Sequence, residues 1–424
     1  MTTALLTDMY ELTMLDAALA DGTASRRAVF EAFARRLPPG RRFGMLGGIG
    51  RLLDALRDFR FDDADLAFLR EASVVTERTA QHLADFRFTG TITALPEGEV
   101  YWPGTPVLQV EGTFGEAMIL ETLILSILNH DSAVASAAAR MVIAAQGRPL
   151  IEMGSRRVHE DAAVSAARAA YVAGFGSTSN LEAGRRYGVP VAGTAAHASV
   201  LARPTEREAF AAQIALSGPR TTILVDTYDI AQGIRTAVEV AGPELFAIRL
   251  DSGDLLVEAR KARDLLDSLG ATGTKIATSS DLDEYLIEEA QGAPIDVYGV
   301  GTRVATGSGS PTAGMVYKLV AIEGADGSMR PVAKKSSSKQ STGGDKTLVR
   351  FPDGREAWTL DGSIPDGAAA VHETIVDHGE ICVLERSGTE RARATAAAAI
   401  AALPARARRT ARGEAYRTSE EWSA

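Results

Sequence analysis

Six short apolar segments in the middle of the chain are each followed at once by polar residues that could bind or transform a ligand. The polar segments contain glycines, hydroxyls, carboxylates, arginines and a histidine, and they lie at 154–157, 193–197, 226–229, 251–254, 279–281 and 299–303. Backbone N–H groups at helix N-termini bind phosphate, arginine pairs with anions, and carboxylates hold Mg²⁺ or a sugar hydroxyl. This combination suits a phosphorylated ligand.

Alternating strands and helices must position these polar segments. Apolar and β-branched runs predict strands over 149–153, 189–192, 221–225, 245–250, 275–278 and 295–298. Helices are predicted over 159–172, 206–216, 230–240, 255–269 and 282–290. Repeated β-then-α units require parallel strands, whose carboxyl ends collect functional groups at one edge. The pattern favours a closed or nearly closed α/β barrel, with an open doubly wound sheet as the alternative.

The two ends of the chain have a different pattern, which is typical of antiparallel strands. Residues 88–112 alternate in polarity and are rich in Thr, Val, Gly and Pro, and 316–322 begin a hairpin that returns after 324–327. We therefore expect an α/β fold with the α/β unit at 121–315 and a second, β-rich α+β domain formed by 1–120 and 316–424. Near the C-terminus, 392–402 predict an Ala-rich helix, and the five arginines within 406–417 predict a surface helix and tail.

Composition excludes several classes of function. The chain has 424 residues, and 45 Lys+Arg against 55 Asp+Glu give a net charge of −10, which argues against nucleic-acid or anionic-membrane binding. Cys382 is the only cysteine, so no intrachain disulfide can form, and a cytoplasmic location is expected. The first residues do not resemble a signal peptide. The uncharged run at 122–130 is far shorter than the ~20 residues that cross a bilayer and predicts a buried helix.

Common catalytic motifs are absent from the sequence. It contains no GxxxxGK[ST], no GxGxxG opening a βαβ unit, no HExxH and no GxSxG. The sequence therefore does not support assignment to the P-loop NTPases, the Rossmann dehydrogenases, the metalloproteases or the α/β hydrolases.

Six short motifs, taken together and in order, resemble the nicotinate phosphoribosyltransferase family. They are TDMYELTM at 7–14, EMGSRR at 152–157, FGSTSN at 175–180, GTAAH at 193–197, RLDSGD at 249–254 and GVGT at 299–302. The resemblance implies a type II phosphoribosyltransferase, in which an irregular α/β barrel is joined to a domain built from both chain ends. It also implies a homodimer with active sites at the subunit interface.

The resemblance further implies a reaction and its ligands. Nicotinate and 5-phosphoribosyl 1-pyrophosphate would give nicotinate mononucleotide and pyrophosphate, a step of NAD salvage. ATP hydrolysis would be coupled to it through a phosphorylated histidine, with Mg²⁺ required and with neither NAD nor a metal cluster as a prosthetic group.

The expected catalytic residues follow from the same resemblance. His197 matches the phosphorylated histidine, although a lone histidine in such a turn more often only caps a loop. Asp251 matches a residue at the ribosyl group, where it could also hold Mg²⁺, and Arg249 matches the partner of the pyridine carboxylate. Asp254 is expected to cap the helix that starts at Leu255.

Four further residues are expected at the nicotinate ring. Tyr10 would stack on it from the partner subunit, although its segment could equally be a core-facing helix. Met153 would cover the opposite face with a thioether, and Thr194 would bind nearby. Ser179 stands where the related nicotinamide enzyme carries an aspartate, so nothing there would repel a carboxylate.

The phosphoribosyl group is expected to bind Arg156, Asp281, Gly301 and Thr302, although 299–301 could simply form a tight turn. Lysines in a Ser- and Gly-rich segment could guide ATP or diphosphate, or could belong to a solvated hairpin loop. These lysines are Lys334, Lys335, Lys339 and Lys346.

Two alternatives from other classes remain. A catalytically silent homologue could bind a pyridine nucleotide or phosphoribosyl ligand and regulate a partner, but it would have no use for a phosphorylatable His197. An aldolase-like sugar-phosphate enzyme would need a Schiff-base lysine or a metal-binding cluster of His and carboxylates at a strand end. Lys275 begins its strand instead, and the sequence pattern shows no such cluster.

Overall fold

β-rich chain ends flank an α/β middle in the computed structural model, which describes residues 2–334, 342–360, 362–382 and 388–422. The strands are β1 (Arg27–Ala34), β2 (Gly44–Met45), β3 (Thr91–Ala94), β4 (Val100–Tyr101), β5 (Pro106–Thr113), β6 (Leu150–Glu152), β7 (Ser177–Thr178), β8 (Thr222–Leu224), β9 (Ala247–Leu250), β10 (Lys275–Ser280), β11 (Val297–Val300), β12 (Met315–Glu323), β13 (Met329–Pro331), β14 (Thr347–Arg350), β15 (Glu356–Thr359), β16 (Ala369–Ala370), β17 (Glu373–Asp377), β18 (Glu380–Ile381) and β19 (Glu420–Glu421). The helices are α1 (Met9–Asp21), α2 (Ile49–Arg57), α3 (Asp63–Glu71), α4 (Glu77–Ala84), α5 (Phe114–Met118), α6 (Glu121–Ala145), α7 (Glu160–Ala173), α8 (Leu181–Tyr187), α9 (His197–Leu201), α10 (Glu206–Ser217), α11 (Ile230–Ala241), α12 (Leu255–Ser268), α13 (Glu284–Glu289), α14 (Thr302–Ala305) and α15 (Gly388–Ala402).

The chain divides into two units, each with its own sheets. The composite unit is Met1–Ser136 with Ser310–Ala424, and the α/β unit is Ala137–Gly309. The first division falls inside α6, between 136 and 137, and the second falls at 309/310. Helix α6 has no break at the division because its 25 residues carry neither glycine nor proline.

The α/β unit contains the predicted parallel sheet, with strand order β7-β6-β11-β10-β9-β8. Each neighbouring pair is parallel and the strands alternate with helices, so the predicted α/β class is confirmed. Within the described residues, β7 and β8 are the edges of this sheet, which is curled without closing by a ladder. The predicted strand at 189–192 is wrong, because Pro190 cannot donate to a ladder and only Val191 forms a bridge, to Thr178.

The composite unit contains a seven-stranded sheet in which strands from the two chain ends are interleaved. Its order is β13-β12-β1-β5-β3-β17-β18, so β1 lies between β12 and β5 and pairs antiparallel with both. The β12–β13 hairpin and the β3–β5 pair match the predicted antiparallel segments. The prediction of one β-rich domain from both chain ends is therefore confirmed. Its core lies between this sheet and the first helices, where Leu15, Phe30 and Leu52 are buried.

Two further predictions concern helices. The run at 122–130 is helical as predicted, within α6. Among the described residues, Phe114–Ala145 is long and apolar enough to cross a membrane by length and composition, but 67% of its most apolar window is buried, as in the core helix of a soluble protein.

The predicted surface helix within 406–417 is wrong, since 405–408 form turns after Pro404. There Arg408 donates to the carbonyls of Ala401 and Leu403 and so closes the end of α15.

Candidate active site

A histidine and an aspartate from different strand ends meet in the α/β unit. His197 is the first residue of α9, and Asp226 follows β8 by two residues. The imidazole Nε2 lies 3.2 Å from Asp226 Oδ1. The Asp226 side chain is fully buried, whereas 39% of the His197 side chain is exposed. One face of the imidazole therefore stays accessible to a ligand while the carboxylate fixes the ring.

The Asp226 carboxylate also orders the turn after β9. Its Oδ2 accepts a hydrogen bond from the Asp251 backbone N–H at 2.9 Å and from the Ser252 hydroxyl at 2.6 Å. Asp251 in turn accepts a hydrogen bond from the buried Ser279 hydroxyl of β10 at 2.6 Å. Three neighbouring strand ends are thus connected through two carboxylates, which places His197 and Asp251 in one network.

Arg249 presents an unsatisfied donor at the end of β9. Its guanidinium donates to the exposed Thr194 hydroxyl at 3.0 Å. Among the described residues its Nε is buried and has no hydrogen-bond partner. The side chain as a whole is only half-buried, so the end of the guanidinium that contacts Thr194 can also donate to an anionic or carbonyl ligand.

Met153 and Gly299 lie together on adjacent strand ends. The Met153 backbone N–H donates to the Val300 carbonyl at 2.7 Å. A Cβ at Gly299 would lie 2.8 Å from the Met153 sulfur, so only glycine leaves room for the thioether here. The glycine therefore leaves space for the Met153 thioether beside β11.

The remaining predicted site residues occupy strand ends without forming a contact network among themselves. Arg156, Ser179 and Asp281 are exposed just past β6, β7 and β10, respectively. Gly301 and Thr302 form the turn into α14, and this turn follows β11.

Tyr10 lies in α1 of the composite unit, where Leu12 and Leu15 face the core while 44% of Tyr10 is exposed. Burial and the nearby Glu121 and Glu11 carboxylates raise the pKa of Tyr10, so its hydroxyl stays protonated near neutral pH. The phenol is therefore available as a neutral aromatic surface.

Sequence reasoning missed two acidic residues. In the sequence pattern, Asp226 is only one of the polar residues that follow a strand, and Glu152 is only part of a motif. Asp226 carried a usable signal, because it stands directly after a buried strand in the same way as Asp251 does. The partner of each carboxylate depends on strand order, which the sequence pattern does not give.

Lys346 is not available to a ligand, which corrects the prediction that it could guide ATP or diphosphate. Its Nζ lies 2.8 Å from both oxygens of Glu31, and both side chains are buried. Lys335 and Lys339 lie outside the described residues, and Lys334 is exposed.

A metal site built from protein ligands alone is not found: the described part of the chain holds no group of three or more His, Cys, Asp or Glu side chains placed to bind an ion. Asp251 offers one carboxylate, of which Oδ1 already accepts from Ser279. Mg²⁺ commonly binds through one or two carboxylates plus substrate phosphates and water. Asp251 therefore fits a Mg²⁺ ion that arrives with a phosphorylated substrate.

Comparison with known proteins places the chain among the phosphoribosyltransferases, since residues 5–129 match the family model of the nicotinate phosphoribosyltransferase N-terminal domain. The chain is 59% identical over 354 residues to nicotinate phosphoribosyltransferase from Mycobacterium tuberculosis (strain H37Rv), covering 82% of this chain and 78% of that protein. It is 40% identical over 359 residues to the Bacillus subtilis enzyme of that name, covering 82% of this chain and 73% of the relative. The chain belongs to the nicotinate phosphoribosyltransferase family.

A solved structure supports the fold over the whole length. The crystal structure of human nicotinic acid phosphoribosyltransferase superposes with a TM-score of 0.81 at 27% identity, covering 98% of this chain and 97% of that one.

Proposed function

We propose that the protein joins nicotinate to 5-phosphoribosyl 1-pyrophosphate, giving nicotinate mononucleotide and pyrophosphate in NAD salvage, with coupled ATP hydrolysis. Besides the family membership, one observation carries the substrate assignment. The Arg249 guanidinium, which donates to the exposed Thr194 hydroxyl at a strand end, provides donors for the pyridine carboxylate. An arginine binds a carboxylate with paired donors, which an amide cannot accept equally well.

The proposed phosphoryl acceptor is His197. If Nε2–H donates to Asp226, the lone pair of the neutral imidazole is on Nδ1, since a hydrogen bond at one ring nitrogen fixes the tautomer. Nδ1 attacks the γ-phosphorus of ATP, the bond from that phosphorus to the β–γ bridging oxygen breaks, and ADP leaves. The N–P bond is later hydrolysed, which releases phosphate and restores the imidazole. Asp226 stabilises the imidazolium character that develops during these steps.

In the proposed glycosyl transfer, the pyridine nitrogen of nicotinate forms a bond to C1 of the ribosyl group while the bond to pyrophosphate breaks. Positive charge develops on the ribosyl ring, and the Asp251 carboxylate lies in the network that could stabilise it. A Mg²⁺ ion bound with the diphosphate would neutralise charge on the leaving group. Ser279 keeps the Asp251 carboxylate oriented by donating to Oδ1.

The phosphoribosyl group is assigned to residues that follow β6, β10 and β11. Arg156 would pair with a phosphate oxygen, and the backbone turn at Gly301 and Thr302 would donate N–H groups to the 5-phosphate. Asp281, which is exposed after β10, would accept from a ribose hydroxyl. The exposure of these side chains supports the assignment because it leaves them open to a ligand.

Nicotinate would bind between Met153 and Tyr10, with Tyr10 supplied by the second subunit of a homodimer. Apolar side chains at the start of the chain are exposed, as expected of an interface: Leu6 by 62%, Met9 by 60% and Met14 by 41%. The neutral Ser179 would tolerate the carboxylate and so favour nicotinate over nicotinamide. We also propose a cytoplasmic location, in line with a single cysteine.

One assay tests the function. The protein is incubated with nicotinate, 5-phosphoribosyl 1-pyrophosphate and Mg²⁺, with and without ATP, and nicotinate mononucleotide is followed. We expect product in both conditions and faster formation with ATP. His197→Ala should abolish the ATP stimulation and leave slow ATP-independent synthesis. Absence of product in both conditions would favour the silent homologue, and undiminished ATP stimulation in His197→Ala would exclude the phosphohistidine.

A further inference from the structure

A buried carboxylate without a cationic partner lies beside the proposed phosphoribosyl site. Glu152, the last residue of β6, is 1% exposed. One of its oxygens accepts from the Gly154 backbone N–H, and the other accepts from the Thr178 hydroxyl at 2.5 Å. No Lys, Arg or His of the described residues forms an ion pair with it. Both oxygens are therefore satisfied by neutral donors alone.

These contacts connect two polar loops. The Glu152 backbone carbonyl accepts from the Ser179 N–H at 2.8 Å. Thr178 Oγ1, besides donating to Glu152, accepts from the Asn180 N–H at 2.9 Å, and the Asn180 side chain donates to Ser155 at 3.1 Å. The loop after β6, which bears Arg156, is thus joined to the residues after β7, which bear Ser179.

The turn from β11 into α14 packs against the Glu152 carboxylate as well. A Cβ at Gly154 would lie 2.7 Å from the Glu152 carboxylate, 2.6 Å from the Ala305 side chain and 3.0 Å from the Gly301 carbonyl. Gly154 therefore leaves space both for the carboxylate and for the turn into α14. The Glu152 side chain lies where the loops assigned to Arg156, Ser179 and Gly301 approach one another.

The two contacts suit a carboxylate better than an amide. Burying a charge without a counterion is unfavourable, and burial raises the pKa of Glu152 while the bonds from Thr178 and Gly154 oppose that shift. A carboxylate offers two acceptor oxygens, one for each of these donors, whereas an amide offers only one. The unfavourable burial is explained if both loops must be fixed together.

We propose that Glu152 is a positioning residue that fixes the Arg156 loop and the Ser179 loop in the arrangement that binds the phosphoribosyl substrate and selects nicotinate. This inference rests on the proposed function and deepens it. Glu152 acts through Gly154 and Thr178 and is not required to touch substrate.

The test is a double-mutant cycle with Glu152→Gln, Thr178→Val and the double variant. For each, kcat and both KM values are measured with nicotinate and with nicotinamide, and the dissociation constant of 5-phosphoribosyl 1-pyrophosphate is measured by calorimetry. Losing one buried hydrogen bond should raise that dissociation constant about five- to tenfold in each single variant. The double variant should bind 5-phosphoribosyl 1-pyrophosphate no more weakly than the single variant of lower affinity does. The preference for nicotinate should fall in all three variants.

A control carboxylate is available at the opposite end of the same sheet. Asp296 accepts from the Ile276 N–H at 2.8 Å and from Lys275 at 3.1 Å, so it also connects neighbouring strands. The Asp296 side chain is 33% exposed, so Asp296→Asn should lower the thermal midpoint less than Glu152→Gln does, and it should leave substrate binding and selectivity unchanged.

The proposal would be overturned if Glu152→Gln left substrate binding and selectivity unchanged. It would also be overturned if the dissociation constant of the double variant rose by the product of the two single-variant factors, or if Asp296→Asn changed the kinetics in the same way as Glu152→Gln. An inactive wild-type protein would contradict the proposed function separately. The calorimetric comparison would still decide whether Glu152 orders the phosphoribosyl site.

Discussion

Buried charged groups have different roles in the two units. In the composite unit, Lys346 and Glu31 face each other with side chains 4% and 1% exposed, and the Lys346 ammonium also lies 5.2 Å from the Trp358 ring centroid. In the α/β unit, Asp226 is equally buried, yet its partner His197 remains 39% exposed. The first pair is complete within the protein, whereas the second keeps one member open to a ligand.

This difference separates structural from functional charge in one chain. Arg350 in the composite unit follows the first pattern, since it pairs with both Glu99 and Glu356. Arg249 in the α/β unit follows the second, since its Nε has no partner among the described residues. Residue type alone does not distinguish the two cases, but the completeness of pairing does. Substitutions in the first group should therefore change stability, and those in the second should change activity.

Lys346→Ala should have the largest effect, on stability. It leaves the Glu31 carboxylate buried and unpaired, which should lower the free energy of unfolding by about 3–5 kcal/mol. Chemical denaturation measures this, and the activity per folded molecule should stay unchanged. The double variant Glu31→Gln/Lys346→Met should recover most of the loss. A loss below about 1 kcal/mol, the size of an exposed ion pair, would show that this pair is not structural.

Asp226→Asn should have the next largest effect, on activity. The amide accepts at only one of the two positions, so either the His197 ring or the Asp251 turn loses its hydrogen-bond acceptor. The ATP-coupled rate should fall about 100-fold, equivalent to about 2.7 kcal/mol, with little change in unfolding. Steady-state kinetics with and without ATP measures it. Asp267→Asn, at the surface ion pair with Arg263, is the matched control and should be neutral. A stability loss without a kinetic one would place Asp226 in the structural group.

His372 of the composite unit gives a pH prediction. Its Nε2 lies 2.6 Å from the Pro106 carbonyl, and burial lowers its pKa to about 4. Between pH 6.5 and 4 the unfolded chain binds a proton that the folded protein excludes, so unfolding becomes easier as the pH falls. His372→Gln should reduce this loss by roughly 2 kcal/mol, measured by denaturation at pH 7 and pH 4.5. Identical pH dependence in both proteins would contradict the neutral, structural role.

Ser179→Asp should give the smallest effect, on selectivity. A carboxylate there would repel nicotinate and accept from an amide, so the ratio of kcat/KM for nicotinate to that for nicotinamide should fall about tenfold, or about 1.4 kcal/mol. Competition kinetics with both substrates measures the ratio. Ser179→Asn keeps the site neutral at similar size and should retain the preference. An unchanged ratio in Ser179→Asp would remove Ser179 from the nicotinate site.

The sequence pattern predicts the strand–helix alternation well where periodicity and length are strong. Helices α10, α11 and α12 begin at the predicted residues because Thr205, Asp229 and Asp254 each supply a cap. It fails for the short strand β7, because two residues give no periodic signal and their position depends on pairing with β6. Pro190, which looks like part of a strand by composition, interrupts the ladder instead.

The sequence predicts the site about as far as it predicts the fold. Functional positions after the strands could be named because parallel strands deliver their following residues to one edge. The Asp226 contact with His197 and the Lys346 contact with Glu31 could not, because both join residues from distant elements. Whether a charge is paired or open is a property of the tertiary structure, and the sequence alone gives only its place along the strand.

The interleaved sheet has a consequence for the order in which the protein is made. β1 needs β12 as a neighbour, and Ala28 pairs with Ile322, so the sheet stays incomplete until the ribosome has passed the whole α/β unit. The α/β unit is continuous in the chain and can fold first, while the edge of β1 that pairs with β12 stays unpaired. Pairing such distant segments slows folding, so a nascent chain that stalls after the α/β unit would expose this edge to aggregation.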